Sequence, residues 1–135
     1  MAKFVATDYD ITIGAVDLST SIAAATLDLS AEEQDTTAFG ATYRTRIAGL
    51  KDGTLSLDFH QDFGAASVDA TLFPLLGSAV AFVIKPTSGT VSATNPTYSG
   101  TALVTQYQPF ASSVGDLATL SVSWSLSGPV TRATA

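Results

Sequence analysis

The chain contains no cysteine, a single histidine and only six Lys/Arg among 135 residues. Without cysteine there is no disulfide framework, no thiol nucleophile and no thiolate metal site. That absence fits synthesis in a reducing cytoplasm without requiring it. Six cations against twelve carboxylates give a net charge of −6, a surface that repels phosphate backbones. Only Arg44 and Arg46 stand close together, short of the basic patch a dedicated nucleic-acid binder uses. Charged residues of both signs make up 13% of the chain, against about 25% in an average soluble domain. With 46% hydrophobic residues, so little charge leaves too little to cover a solvent-facing shell. Burial of much of the surface against other subunits resolves that shortage. No apolar run approaches the ~18 residues of a membrane span. The first ten residues meet Asp8 and Asp10 before any apolar stretch, which argues against a signal peptide. No membrane partner is expected.

What is present is β-pattern. The length suits one domain, 1–135, and no repeat, linker or boundary divides it. Ile11 to Leu18 reads as a short strand, a Gly turn and a second short strand. Ile22 to Leu29 is a further strand, with Leu27 and Leu29 on one face and Thr26 and Asp28 on the other. Residues 30–42 form a polar stretch with Glu32, Glu33, Asp35 and Phe39, expected as a long loop of a functional or disordered kind. Then Arg44, Arg46 and Ala48 alternate with Thr45, Ile47 and Gly49. Leu55, Leu57 and Phe59 alternate with Ser56, Asp58 and His60. Lys51-Asp52-Gly53 between the two runs predicts a hairpin turn. Both faces of that hairpin carry large or charged groups, which points to assembly.

Ser67 and Asp69 predict the start of a helix with Val68, Leu72, Leu75 and Leu76 as its apolar stripe. Pro74 limits it to two or three turns ending by Gly77. Val80, Phe82 and Ile84 mark a central apolar strand, and residues 86–100 read as a loop rich in Pro, Ser, Thr and Gly. Strands follow at 101–107 and 117–127. In the latter Leu120, Val122, Trp124 and Leu126 alternate with Ser121, Ser123 and Ser125, one core face and one of small neutral hydroxyls. The expected fold is mainly β, an antiparallel sandwich or barrel with one short flanking helix. Its long strands lack the Pro and Lys that usually guard sheet edges.

Little here suggests chemistry. His60 lies between Asp58 and Asp62, and alternate positions share a strand face. Two carboxylates and one imidazole leave a zinc site incomplete, and no Gly-x-Ser-x-Gly elbow supplies a nucleophile. Glu32, Glu33 and Asp35 lack the alternating ligands and Gly of a calcium loop. A polar strand face and a solvated acidic loop are the plainer readings. No catalytic, cofactor-binding or metal-ligating residue is assigned, and no enzyme activity is expected.

The stretch from Asp35 to Phe63 resembles the major tail tube proteins of long-tailed, non-contractile bacteriophages. There a Thr/Phe-Gly loop, an Arg-x-Arg strand and a Gly-Leu-Lys-Asp-Gly turn occur in this order. The likeness continues at Asn95-Pro96-Thr97-Tyr98-Ser99-Gly100, at Gly115-Asp116-Leu117-Ala118-Thr119 and at Ser127-Gly128-Pro129-Val130-Thr131-Arg132. It implies a structural subunit, made in the host cytoplasm and placed in the virion tail. Hexameric rings would stack into a conduit through which DNA passes without specific binding. Tape measure and tail-end or terminator proteins are its implied partners. Wall candidates are Asp28, Asp58, Asp62, Ser121, Ser123 and Ser125. Glu32, Glu33, Asp35, Phe39, Arg44 and Arg46 are candidates for the loop between subunits or rings, the two arginines also being placed to pair with wall acids. A secretion-system tube protein of the same fold is an alternative. A monomeric β-sandwich module that binds a ligand such as carbohydrate is another.

Overall fold

Period-2 alternation along this chain builds two antiparallel sheets that face each other across one core. The computed structural model describes residues 3–135. In chain order the strands are β1 (Asp10–Ile13), β2 (Val16–Asp17), β3 (Ile22–Asp35), β4 (Arg46–His60), β5 (Ala79–Lys85), β6 (Thr97–Leu103), β7 (Thr119–Ser125) and β8 (Thr131–Ala133). Between β4 and β5 the helix α1 (Val68–Leu72) runs into a 3-10 turn at Phe73–Leu75. One sheet has five strands in the order β2-β1-β5-β6-β8, and the other has three, β3-β4-β7. The fold is therefore a mainly β antiparallel sandwich with one short helix.

The core fills from both sheets. Leu55, Leu57 and Phe59 of β4 and Leu120, Val122 and Trp124 of β7 face Ile11, Ile13, Val80, Phe82 and Ala102. Val68 and Leu72 close the space with α1, and Leu75 packs partly buried beside them. Leu76, the last member of the expected stripe, is exposed, because the chain turns at Gly77 with φ +86°. Pro74 stands in that 3-10 turn, where its missing N–H interrupts no helical ladder. β5 is central, as its apolar run requires.

Three stretches depart from the sequence reading. Lys51-Asp52-Gly53 makes no turn: it lies inside β4, with Lys51 opposite Ala31, Asp52 opposite Ser30 and Gly53 opposite Leu29. The glycine serves a close approach instead of a positive φ. A Cβ on Gly53 would stand 2.7 Å from Leu126 Cδ1 and 2.9 Å from the Asp28 carbonyl oxygen. The long loop expected at 30–42 is correspondingly short. Ser30 to Asp35, with Glu32, Glu33 and Asp35, belong to β3, and the connection to β4 spans only 36–45. Acidic residues favour strands weakly, but cross-strand pairing outweighs propensity here. Likewise β6 begins at Thr97, inside the stretch read as loop, and ends at Leu103.

Gly53→Ala must push β3 or the segment after β7 aside. It is expected to cost about 1–3 kcal/mol, seen as a fall of several degrees in the thermal midpoint. An unchanged midpoint would show that the strands can separate there without loss.

Candidate assembly surface

The three-stranded sheet has one face on the core and one turned outward. Register sets the outward face in rows across the strands: Asp28, Thr54 and Ser125; Thr26, Ser56 and Ser123; Ala24, Asp58 and Ser121. The Ser56 and Ser123 hydroxyls meet at 3.3 Å. Small hydroxyls and carboxylates thus form a smooth, hydrated wall. Asp52 and Glu32 extend it on the same side, and no Lys or Arg stands on it. None of the three ion pairs among the described residues involves Asp28 or Asp58. Five of the wall candidates, Asp28, Asp58, Ser121, Ser123 and Ser125, therefore lie together on one exposed face. Asp62 does not join them. It lies past the end of β4, where its carboxylate accepts the Gly64 N–H at 2.8 Å. Thr26, Thr54 and Ser56 complete the face; the alternation that singled out their neighbours also marks them.

The edges of the two sheets differ. The five-stranded sheet ends in β2 and β8, of two and three residues. Short edges give another chain little to pair with. The three-stranded sheet ends in β3, of fourteen residues, and β7, of seven. The ladder fixes which groups face outward along β7. Gln61 N–H donates to the Ala118 carbonyl at 2.9 Å and Leu126 N–H to the Gly53 carbonyl at 3.0 Å. Even-numbered residues thus bond to β4, and the N–H groups of Ser121 and Ser123 point to the open edge; past Ser125 that edge is met by β6, where Ala102 bridges Leu126 and the Ser127 N–H donates to the Thr101 carbonyl at 2.8 Å. Thr119, also on that edge, gives its N–H to the Ser112 hydroxyl at 3.0 Å.

Past Gly53, β3 and β4 leave the core and continue as a two-stranded arm, exposed on both sides. Arg44 pairs with Asp35 at 2.8 Å and Arg46 with Glu33. The two arginines thus bind acids of the arm itself, not Asp28, Asp58 or Asp62. The Thr36 and Thr45 hydroxyls close the arm's end at 2.7 Å. Leu29, Ile47 and Leu50 are exposed along it, and Phe39 and Tyr43 stand open at its tip. An isolated two-stranded ribbon is marginal in water, so these apolar groups need cover.

The opposite end of the sheet is fixed to the core. Trp124 Nε1 donates to the Gln106 carbonyl at 2.9 Å. The Tyr107 hydroxyl donates to Asp69 at 2.6 Å and accepts from Gln61 Nε2 at 3.1 Å. Burial, and then the Asp69 carboxylate, push the Tyr107 phenol up to about 12. It remains a neutral donor at any physiological pH. Beyond this network Phe63 and Phe110 stack with ring centroids 5.7 Å apart, largely exposed. His60 shares the outward face with Asp58. Among the described residues no three His, Cys, Asp or Glu side chains converge as metal ligands. No described helix is long and apolar enough to cross a membrane.

No protein-family model matches the chain, and no curated protein does. Its fold matches that of a chain in the virion of a native gene transfer agent particle, with a TM-score of 0.73 and 16% identity. The match covers 93% of this chain and 95% of that one, so the two share the whole fold.

The Thr37 side chain and backbone N–H, then Arg44, hold the Asp35 carboxyl below its ordinary value of 3.8. A depressed carboxylate contributes fully above 3.8 and loses its contribution as pH falls through the lowered value. The arm's tip is therefore held by these contacts at neutral pH. An NMR titration of Asp35 is expected to show a midpoint below 3.8, raised by Thr37→Val. A midpoint unmoved by that substitution would remove the Thr37 hydroxyl as a cause and leave the Thr37 backbone N–H and Arg44.

Proposed function

We propose that this chain is the subunit of a phage-type tail tube, a ring-forming structural protein whose stacked rings enclose a DNA conduit. The contrast between the edges carries the reading. Two short, protected edges lie on one sheet, and two long, open ones lie on the sheet with the hydrated acidic face. Pairing β7 of one copy with β3 of the next continues that sheet from subunit to subunit. Closure into a ring then leaves no strand unpaired.

Size decides how many copies are needed. At about 4.8 Å between strands and a tilt of about 40°, a barrel of roughly eighteen strands has a backbone radius of about 18 Å. Short side chains then leave a bore of about 26 Å, enough for the roughly 20 Å of duplex DNA. About twelve strands give a radius of about 12 Å, too narrow for a duplex. Three strands from each of six copies meet the requirement, in accord with the hexamer implied by the family resemblance. The fold shared with a virion protein supports the same class. Asp28 and Asp58 on the wall repel phosphate within a Debye length of about 8 Å. DNA then stays centred and slides without adhering. The reading carries no catalytic step. A tape measure protein inside the bore and terminator proteins at the ends are its remaining partners.

Purified protein is expected to form rings and tubes in negative-stain images as its concentration rises. Ser123→Pro removes an N–H that points to the open edge and none that bonds to β4. The variant is expected to keep the circular dichroism of the folded subunit and form no rings. Rings of normal diameter from Ser123→Pro would rule out pairing along β7, and a wild-type chain that stays monomeric would end the tube reading.

A further inference from the structure

The open edge of β3 is not bare in a single copy. The Gly53 carbonyl bonds to Leu126, so odd-numbered residues of β4 bond to β7 and even-numbered ones to β3. Register then gives Ala24, Thr26 and Asp28 to β4 and turns the N–H and C=O groups of Ala25 and Leu27 to the open edge. Residues 3–9, which precede β1, run beside those two residues. Phe4 and Tyr9 line a cleft of about 220 Å³ with Ala25 and Leu27. Ala6 and Thr7 line a second, of about 200 Å³, with Ile22 and Ala24. The segment stands off from the edge: among the described residues it makes no backbone hydrogen bond.

One side chain clasps it. The Asp8 carboxylate accepts the Ser88 N–H at 3.1 Å and the Ser88 hydroxyl at 2.8 Å. Ser88 lies in a loop set by the buried Asn95, whose carboxamide accepts the Thr87 N–H at 3.1 Å and donates to the Gly89 carbonyl at 3.1 Å. At Asp10 the chain enters β1, and Lys85 pairs with Asp10 there at 3.2 Å. A neighbouring β7 has to come within about 4.8 Å of β3 along this edge, on the side where Phe4 and Tyr9 stand. From this geometry we propose that residues 3–9 are a strap that screens the open edge of β3 in the free subunit and swings out from Asp10 when β7 of the next copy docks. Opening breaks the Asp8–Ser88 clasp and no strand of the sandwich. A screened edge is also kept from pairing with wrong partners. This rests on the edge-to-edge pairing above and adds what restrains it.

The cysteine-free chain allows a direct test. A nitroxide attached to Val5→Cys, at an exposed position, is expected to broaden the Ala25 and Leu27 amide signals of the free subunit. Asp8→Ala is expected to relieve that broadening. In light scattering at a fixed concentration, Asp8→Ala is expected to shorten the lag before rings form severalfold. Ser88→Ala removes the hydroxyl contact alone, without a change of charge, and is expected to shorten the lag less. A lag that neither substitution shortens, or broadening that Asp8→Ala leaves intact, would overturn the strap and leave the tube reading standing. Absence of rings from the wild-type chain and from both variants would overturn both.

Discussion

Backbone hydrogen bonding governs this molecule. Every strand presents N–H and C=O groups on two sides, and a sheet of three strands leaves two rows unpaired. The five-stranded sheet limits the cost by ending in strands of two and three residues. The three-stranded sheet does the reverse, with a strand of fourteen residues at one edge and the donors of Ser121 and Ser123 at the other. The scarcity of charge belongs to the same design. On the proposed reading, a surface that meets other copies has little use for the solvated Lys and Glu that cover a monomer.

The two faces of that sheet divide the remaining work. Leu55, Leu57, Phe59, Leu120, Val122 and Trp124 fasten it to the core. At about 1.5–3 kcal/mol for each large apolar side chain fully buried, this one face anchors the wall rigidly. The outward face carries only small side chains from Thr54 to Asp58 and from Ser121 to Ser125. Rigidity behind the wall and smoothness on it come from one alternation.

Much of this was legible in sequence because it rests on period two. The Ser/Thr alternation of 119–125, the apolar face of 55–59 and the central run at 80–84 need only the pleat. The arm was not legible. Asp52-Gly53 has the composition of a turn, and Glu32, Glu33 and Asp35 have that of a loop. The pairing that overrides both spans the distance from Ser30 to Asp52 and leaves no local mark. Gly53 is glycine because Asp28 and Leu126 crowd it, a fact of the folded sheet that no window of sequence contains. Asp62 fell off the wall for a related reason. The strand ends at His60, and an alternation extrapolated two residues further no longer describes the backbone.

The central claim, that the open edges of β3 and β7 pair between copies, is tested most directly by residue-resolved hydrogen exchange. Dispersed subunits and assembled particles would be compared at one pH and temperature. The account predicts fast exchange of the Ser121 and Ser123 amides in the subunit and strong protection on assembly, with the amides of Val122 and Trp124 protected in both. Assembled particles in which these two serine amides exchange as fast as in the free subunit would contradict it.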